Sequence, residues 1–194
     1  VGGDGAEGSR VADDGHGMAR GDAARAVDPH ATGKSRAGDD LREATTLGFR
    51  GEALAAIADA GDLELVTNDG AAVGTRVTAA DGERSVEDAG RARGTTVTVT
   101  DLFGDRPARR ESLASPAREF GRVSELLTAY ALDRPGVAFS LEHDGRETAS
   151  TPGTGRRDAL VALYGRETGG ESTAVTHRAG VDLAGRAADL SVEG

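Results

Sequence analysis

The sequence predicts an α+β fold, a two-layer α/β sandwich with helices on one face of a mixed sheet. Two observations carry this. Segments with helical character precede residue 61, and segments alternating with a period of two follow it to residue 100. A long amphipathic helix pattern over 115–132 then leads into a hairpin pattern over 137–150.

In chain order, "SRVAD" (9–13) reads as a strand edge running into the glycine turn "DDGHGM" (13–18). "ARGDAARAV" (19–27) is rich in alanine and arginine, both good helix formers. Residues 33–40 are polar and contain glycine, which predicts a loop. "DDLREATTL" (39–47) predicts a short helix with Asp39 or Asp40 as N-cap. "EALAAIADA" (52–60) predicts a helix stopped by Gly61.

Strands then follow. "DLELVTNDG" (62–70) is a strand and a turn, followed by "VGTRVTAADG" (73–82) and "ERSVEDA" (83–89). "GTTVTVTDLF" (94–103) is β-branched at nearly every early position. In "SPAREFGRVSELLTAYAL" (115–132), Ser115 can cap, Pro116 suits the first turn, and Phe120, Val123, Leu127 and Tyr130 share a face. "DRPG" (133–136) stops that helix. "VAFSLEHDGRETAS" (137–150) predicts a hairpin turning on His143, Asp144 and Gly145. "TPGTG" (151–155) reads as a linker. "RRDALVALYG" (156–165) predicts a helix, and the tail over 172–194 alternates but is too short to bury a core alone.

Composition bounds the function. The net charge is −10, there is no cysteine, and Lys34 is the only lysine among otherwise arginine cations. Thiolate metal sites and disulfides are excluded. No stretch approaches the roughly 18 apolar residues that cross a bilayer, and no secretory leader pattern is present. These features point to a cytoplasmic protein with no membrane partner. Valine, leucine, isoleucine and phenylalanine number 35 of 194, a content compatible with acidic disorder. The periodic segments along the whole chain favour a folded, halophilic protein with an acidic surface, and a GC-rich genome would favour the same arginine, alanine and glycine. The acidic total argues against a chain that coats DNA by charge alone. "RPARR" (106–110) and Arg156–Arg157 are candidate local basic patches, each better read as a solvated charged surface when taken alone.

Three glycine-bearing motifs carry possible chemistry. In "DDGHGM", Asp13 ends a strand, and its carboxylate can accept from an exocyclic amine such as that of adenine. Gly15 and Gly17 let a base approach the backbone. A tight turn explains the same residues. In "HATGKS" (30–35), Thr32, Gly33 and Lys34 resemble a phosphate-binding loop, with backbone donors, a hydroxyl and a compact cation. The spacing is not that of a Walker A loop. In "GFRGEAL", Gly48, Phe49, Arg50, Gly51, Glu52, Ala53 and Leu54 open a helix whose unpaired amides suit an anion. A helix corner with a buried Phe49 is the alternative.

Taken together, "DDGHGM", "HATGKS", "TLGFRGEALAAIA" and "GTTVTVTDLFGDRPARR" resemble the motifs of the MutL family of DNA mismatch repair ATPases, within the GHKL superfamily shared with gyrase, heat-shock chaperones and histidine kinases. The resemblance runs from about Ser9 to the end of the chain. It implies a left-handed GHKL (Bergerat) sandwich binding ATP with Mg²⁺. The ATP-binding domain would cover 1–150 without its N-terminal part, and 156–194 would open a second, ribosomal-protein-like domain. It implies that Asp13 reads adenine, with Gly15, Gly17 and Met18 lining the base pocket and Thr95 beside the aspartate. Thr32, Gly33, Lys34 and Gly48 through Leu54 would form the lid over the phosphates. It further implies DNA, mismatched or single-stranded, and a MutS-type mismatch recognition protein as partners, and a homodimer through a C-terminal domain. The family's water-activating glutamate and metal-holding asparagine belong to a helix preceding this region. The 194 residues by themselves are therefore expected not to hydrolyse ATP, and the chain carries no catalytic or metal-ligating residue.

Two other readings compete. Another GHKL ATPase, such as a type II topoisomerase subunit, fits "GFRGEAL" and "DLFGDRPARR" less well. A non-catalytic module that binds DNA or a partner would keep the nucleotide fold without the chemistry. The acidic surface generates a prediction of its own. The Debye length falls from about 10 Å at 0.1 M salt to about 3 Å at 1 M, so KCl should raise stability up to high concentration. Far-UV circular dichroism across a KCl series checks this, and full folding in dilute buffer would refute it.

Overall fold

The computed structural model describes residues 1, 8–28 and 53–170, and the backbone of two strands over 176–183 and 186–193. The helix predicted over 39–47 lies outside the described residues.

The sheet grows from local hairpins. Strands β2 (Asp62–Asn68), β3 (Gly74–Ala80) and β4 (Glu83–Ala89) are consecutive and antiparallel. Asp81 and Gly82, at φ 52° and 75°, form the two-residue turn between β3 and β4. Positive φ at both central residues matches the right-handed twist of a hairpin, and Asp-Gly meets that demand at low cost. Strand β5 (Gly94–Thr100) returns along the other side of β2, and β1 (Gly8–Asp13) pairs outside β5. The order is β1-β5-β2-β3-β4. Every pairing in this sheet is antiparallel, which corrects the expected mixed sheet. β1 and β2 do run the same way, with helices in the connection between them. β5 separates them and opposes both, so no parallel neighbours arise.

Helices α1 (Arg20–Ala26) and α2 (Ala53–Ala60) pack on one face, α1 against β2 and β3 and α2 against β2. Strand residues two apart share a face, so the register gives this face three rows. Val99, Leu63 and Ala79 lie in one, and Val11, Val97, Leu65, Val77 and Val86 in the next. Leu63, Leu65 and Val77 are fully buried with Ala23 and Val27 of the α1 region, and Leu54, Ile57 and Ala58 of α2 pack against them. The third row is polar: Asp13, Thr95, Thr67, Thr75 and Asp88. The core therefore ends at one edge in a line of carboxylates and hydroxyls.

The C-terminus of α2 is clasped by the turn after β5. Phe103 donates its N–H to the Ala60 carbonyl at 2.6 Å, and Arg106 pairs with Asp59 at 3.0 Å. Asp101 and Phe103 adopt left-handed φ of 46° and 61° to make this turn, a strain that surrounding contacts must hold. A Cβ on Gly61 would sit 2.9 Å from the Thr100 carbonyl, so the helix stop also serves close packing. The turn leads into α3 (Pro107–Glu111), where the Arg109 guanidinium lies 5.9 Å from the Phe103 ring centroid.

Helix α4 (Pro116–Asp133) starts where Pro116 predicts, with Arg118 and Glu119 donating N–H bonds to the Ser115 carbonyl. Phe120, Val123 and Leu127 are half-buried on the expected face, whereas Tyr130 is exposed. The hairpin of β6 (Ala138–His143) and β7 (Arg146–Pro152) turns on Asp144 and Gly145, both at positive φ. The expected linker over 151–155 is in part a strand end. Thr151 is buried and accepts the Phe139 N–H, and Gly155 donates to the Pro135 carbonyl. A Cβ on Gly153 would lie 2.6 Å from the Ala138 nitrogen, so glycine here serves close approach. α5 (Arg156–Gly170) breaks at Gly165, with φ 84°. β8 (Thr176–Leu183) and β9 (Arg186–Glu193) form an antiparallel pair.

By contacts the chain divides into two units, 1–122 with 143–146, and 123–142 with 147–194. No described helix is long and apolar enough to cross a membrane. Leu65→Ala, in the centre of the first unit's core, should lower stability by about 2–5 kcal/mol. Urea denaturation at fixed salt measures this, and a loss under about 1 kcal/mol would place the core elsewhere.

Candidate functional site

The polar row defines the candidate site. Asp13 is the last residue of β1 and lies opposite Thr95 on β5, which lies opposite Thr67 on β2. The Thr67 hydroxyl is buried and central. It accepts the Met18 N–H at 2.9 Å, and it lies 3.1 Å from the Gly94 carbonyl and 3.0 Å from the Thr95 hydroxyl. One side chain thus ties the 14–18 loop to the start of β5.

The glycines of this loop have separable roles. Gly15 donates its N–H to Asp13 Oδ1 at 2.9 Å, which turns the chain and orients the carboxylate. Gly17 has φ 68°, and a Cβ there would lie 1.9 Å from the Asn68 carbonyl oxygen. It is the position where the loop crosses the end of β2. Met18 then drops its side chain against the core. Gly94, at φ 124°, matches this on the other side, where a Cβ would lie 2.2 Å from the Asp13 carbonyl oxygen.

Asp13 itself is exposed. A carboxylate only accepts, and one Gly15 bond leaves acceptor capacity on a group that faces solvent at the rim of the core. That fits a ligand presenting an amine donor, such as the exocyclic amine of adenine. A separate cavity of about 290 Å³ lies toward β3 and β4, lined by Met18, Arg20, Thr67, Asn68, Thr75 and Asp88 among others. An Arg20–Asp88 ion pair of 2.5 Å borders it. It shares Met18 and Thr67 with the Asp13 site but neither Asp13 nor Thr95 lines it. The chemistry of the rim, and not the cavity, therefore defines the candidate site.

Asp13, Gly15, Gly17, Met18 and Thr95 come together in this way. Ala53 and Leu54 form the first turn of α2, and Leu54 packs on the core. Thr32, Gly33, Lys34, Gly48, Phe49, Arg50, Gly51 and Glu52 lie outside the described residues. Among the described residues, no group of three or more histidine, cysteine, aspartate or glutamate side chains could hold a metal. Sequence reasoning missed Thr67 and Gly94. The signal for Thr67 was its place two residues beyond Leu65, on the buried face of β2. Its pairing with Thr95 was not in the sequence.

No family model matches the chain. It is 50% identical over 161 residues to the DNA mismatch repair protein MutL of Halobacterium salinarum, covering 81% of this chain and 24% of that protein. The chain thus spans about a quarter of the length of the curated relatives it matches. In fold it is similar to the N-terminal domain of a DNA repair protein, with TM-score 0.77 and 23% identity over 100% of this chain and 60% of that one. It is also similar to the Aquifex aeolicus MutL ATPase domain complexed with ADP, with TM-score 0.63 and 23% identity over 89% of this chain and 60% of that one. The fold is a GHKL-type sandwich, with helices on one face of an antiparallel sheet. The chain belongs to the MutL family of DNA mismatch repair proteins.

Gly17→Ala should disrupt the crossing over β2, since its Cβ would meet backbone and its φ is left-handed. The expected loss exceeds about 1 kcal/mol, read as a lowered unfolding midpoint. Gly15→Ala, free of the backbone clash, should cost less, and equal losses would contradict the assignment.

Proposed function

We propose that this chain is the ATP-binding part of a MutL-type DNA mismatch repair ATPase. The observation that supports it best is Asp13, exposed at the end of β1 beside Thr95 and held by the Gly15 amide, in a chain 50% identical to a MutL protein. In this reading Asp13 accepts a hydrogen bond from the exocyclic amine of adenine. Gly17 and Met18 shape the floor under the base, with Thr67 holding the Met18 amide. Thr32, Gly33 and Lys34, with Gly48 to Leu54, close over the phosphates, where a lysine supplies a compact charge. The ADP bound by the Aquifex aeolicus domain supports a nucleotide in this fold.

In this reading water cleaves the β–γ phosphoanhydride bond of ATP to give ADP and phosphate, and that hydrolysis is coupled to DNA and repair-partner interaction. Among the described residues no group of three or more histidine, cysteine, aspartate or glutamate side chains could hold Mg²⁺, and the phosphates of ATP would supply part of its coordination. In this reading the residues named above supply binding groups, and the base that activates water belongs to a further helix of the family's fold, as the resemblance implies. Without such a base, hydrolysis falls by about 10²–10⁴-fold. The reading places the nucleotide-binding domain over 1–150 and the opening of a second domain over 156–194. For the whole protein it includes DNA, a MutS-type partner, homodimerisation and a cytoplasmic location.

Calorimetric titration of the intact protein with a non-hydrolysable ATP analogue tests the proposal. Lys34→Ala and Asp13→Asn should each weaken binding, by about 1.5–3 kcal/mol for the loss of one charge-assisted contact. Thermal unfolding without nucleotide should stay near that of the wild type. Unchanged affinity in both variants would overturn the site.

A further inference from the structure

Asp13 has the geometry of a group that must be held still. It ends β1, which among the described residues pairs with β5, and its pair with Thr95 is the last of that ladder. Strand ends fray, because few contacts oppose local opening there. A shift of about 1 Å in a group that positions a reacting ligand can cost on the order of 100-fold.

A contact from outside the ladder opposes that fraying. The Arg91 Nη2 donates to the Asp13 carbonyl oxygen at 2.8 Å. Arg91 precedes β5, in the loop that follows β4, and lies 78 residues from Asp13 in sequence. That loop is itself pinned, because Asn68 Nδ2 donates to the Arg91 carbonyl at 2.8 Å and to the Ala71 carbonyl at 3.1 Å. The Asn68 Oδ1 accepts the Gly70 N–H at 2.8 Å. Asn68 is 5% exposed, so the pin is part of the packed end of β2. Gly94 also packs against the Asp13 carbonyl, where a Cβ would lie 2.2 Å from its oxygen.

The cost of the arrangement argues that it has a use. The Arg91 Nε is shut off from solvent and has no hydrogen-bond partner among the described residues. A buried donor on a permanently charged group is unfavourable unless something compensates. A surface loop with arginine free to extend would avoid it. Here the guanidinium is drawn in against the backbone of the residue that carries the exposed carboxylate.

We propose that Arg91 is a positioning residue for adenine recognition. It fixes the end of β1 so that the Asp13 carboxylate keeps one orientation toward the exocyclic amine of the base. This rests on the reading of Asp13 given under Proposed function. Arg91 touches no nucleotide atom in this account; it acts through the Asp13 main chain, and its effect is confined to discrimination at the 6-position of the purine.

The test compares two probes on the intact protein: a non-hydrolysable ATP analogue, and the same analogue built on purine riboside, which lacks the 6-amino group. The wild type should prefer the amino compound by about 10- to 150-fold, the range for one hydrogen bond to a charged group. In Arg91→Met that preference should fall by about fivefold or more, while affinity for the purine riboside compound stays within about twofold, on the order of the error of such comparisons. Arg91→Lys, which keeps a donor but loses the planar fork, should fall between. If Arg91→Met unfolds, Arg91→Lys and Asn68→Asp, which weakens the pin, carry the same comparison. An unchanged preference in a folded Arg91 variant overturns the inference and leaves Asp13 as the adenine reader. Equal loss for both probes also overturns it, since Arg91 would then support the site as a whole. A wild type with no preference overturns the Asp13 reading and the inference with it.

Discussion

The insertion of β5 between β1 and β2 is the constraint on which the first unit depends. The two strands that flank the helical connection run alike and would be parallel neighbours. β5 enters between them and pairs antiparallel with both. That double pairing brings together Asp13, Thr67 and Thr95, residues up to 82 positions apart in sequence. It also sets the three rows of the covered face, two apolar and one polar. A shift of β5 by one residue would exchange its faces. Val97 and Val99 would leave the core and Thr95 would leave the site.

The same pairing requires close backbone approaches, and glycine supplies them. Gly17 within the 13–18 loop and Gly94 beside it are each placed where a Cβ would fall within 2.2 Å of a carbonyl oxygen. Each has positive φ, so steric room and backbone conformation make the same demand. Thr67 then satisfies the Met18 amide that the tight crossing would otherwise leave unpaired at the core edge. The polar row is therefore structural and chemical at once: the inner hydroxyls hold the loop, and the outer carboxylate is left with acceptor capacity.

A second clasp lies at the other end of α2. The left-handed turn at Asp101–Phe103 caps the Ala60 carbonyl, and Arg106 reaches Asp59. α2 begins with the last two residues of the glycine-rich "GFRGEAL" segment, Ala53 and Leu54, and ends in this clasp. The helix thereby joins the segment proposed to cover phosphate to the turn that leads into α3. The ion pair is exposed at Asp59, and such pairs contribute roughly 0–1 kcal/mol. The backbone bond and the close packing at Gly61 hold the junction. Arg20–Asp88, Arg25–Asp22 and Arg122–Glu119 are likewise exposed pairs, and in a chain of net charge −10 they offset local repulsion more than they build the fold.

The sequence by itself determined whatever depends on neighbours along the chain. Period-two alternation located β2 through β5, Asp-Gly located two turns, Pro116 located the start of α4, and "DDGHGM" located the end of β1. These features rest on local backbone preference and on a buried face a few residues long. The same locality misled where a distant partner decides. "TPGTG" has linker composition, yet Thr151 is buried because β6 pairs beside it, and Gly153 packs against Ala138. The mixed sheet failed because strand direction depends on which strand is inserted where. Asp13 and Gly17 could be named as candidate site residues from their motif, but Thr67 and Arg91 could not. Their roles arise from hydrogen bonds to Met18 and Asp13 across 49 and 78 residues, and only tertiary structure makes such contacts, since the entropy of closing those loops is recovered by the packed sheet as a whole.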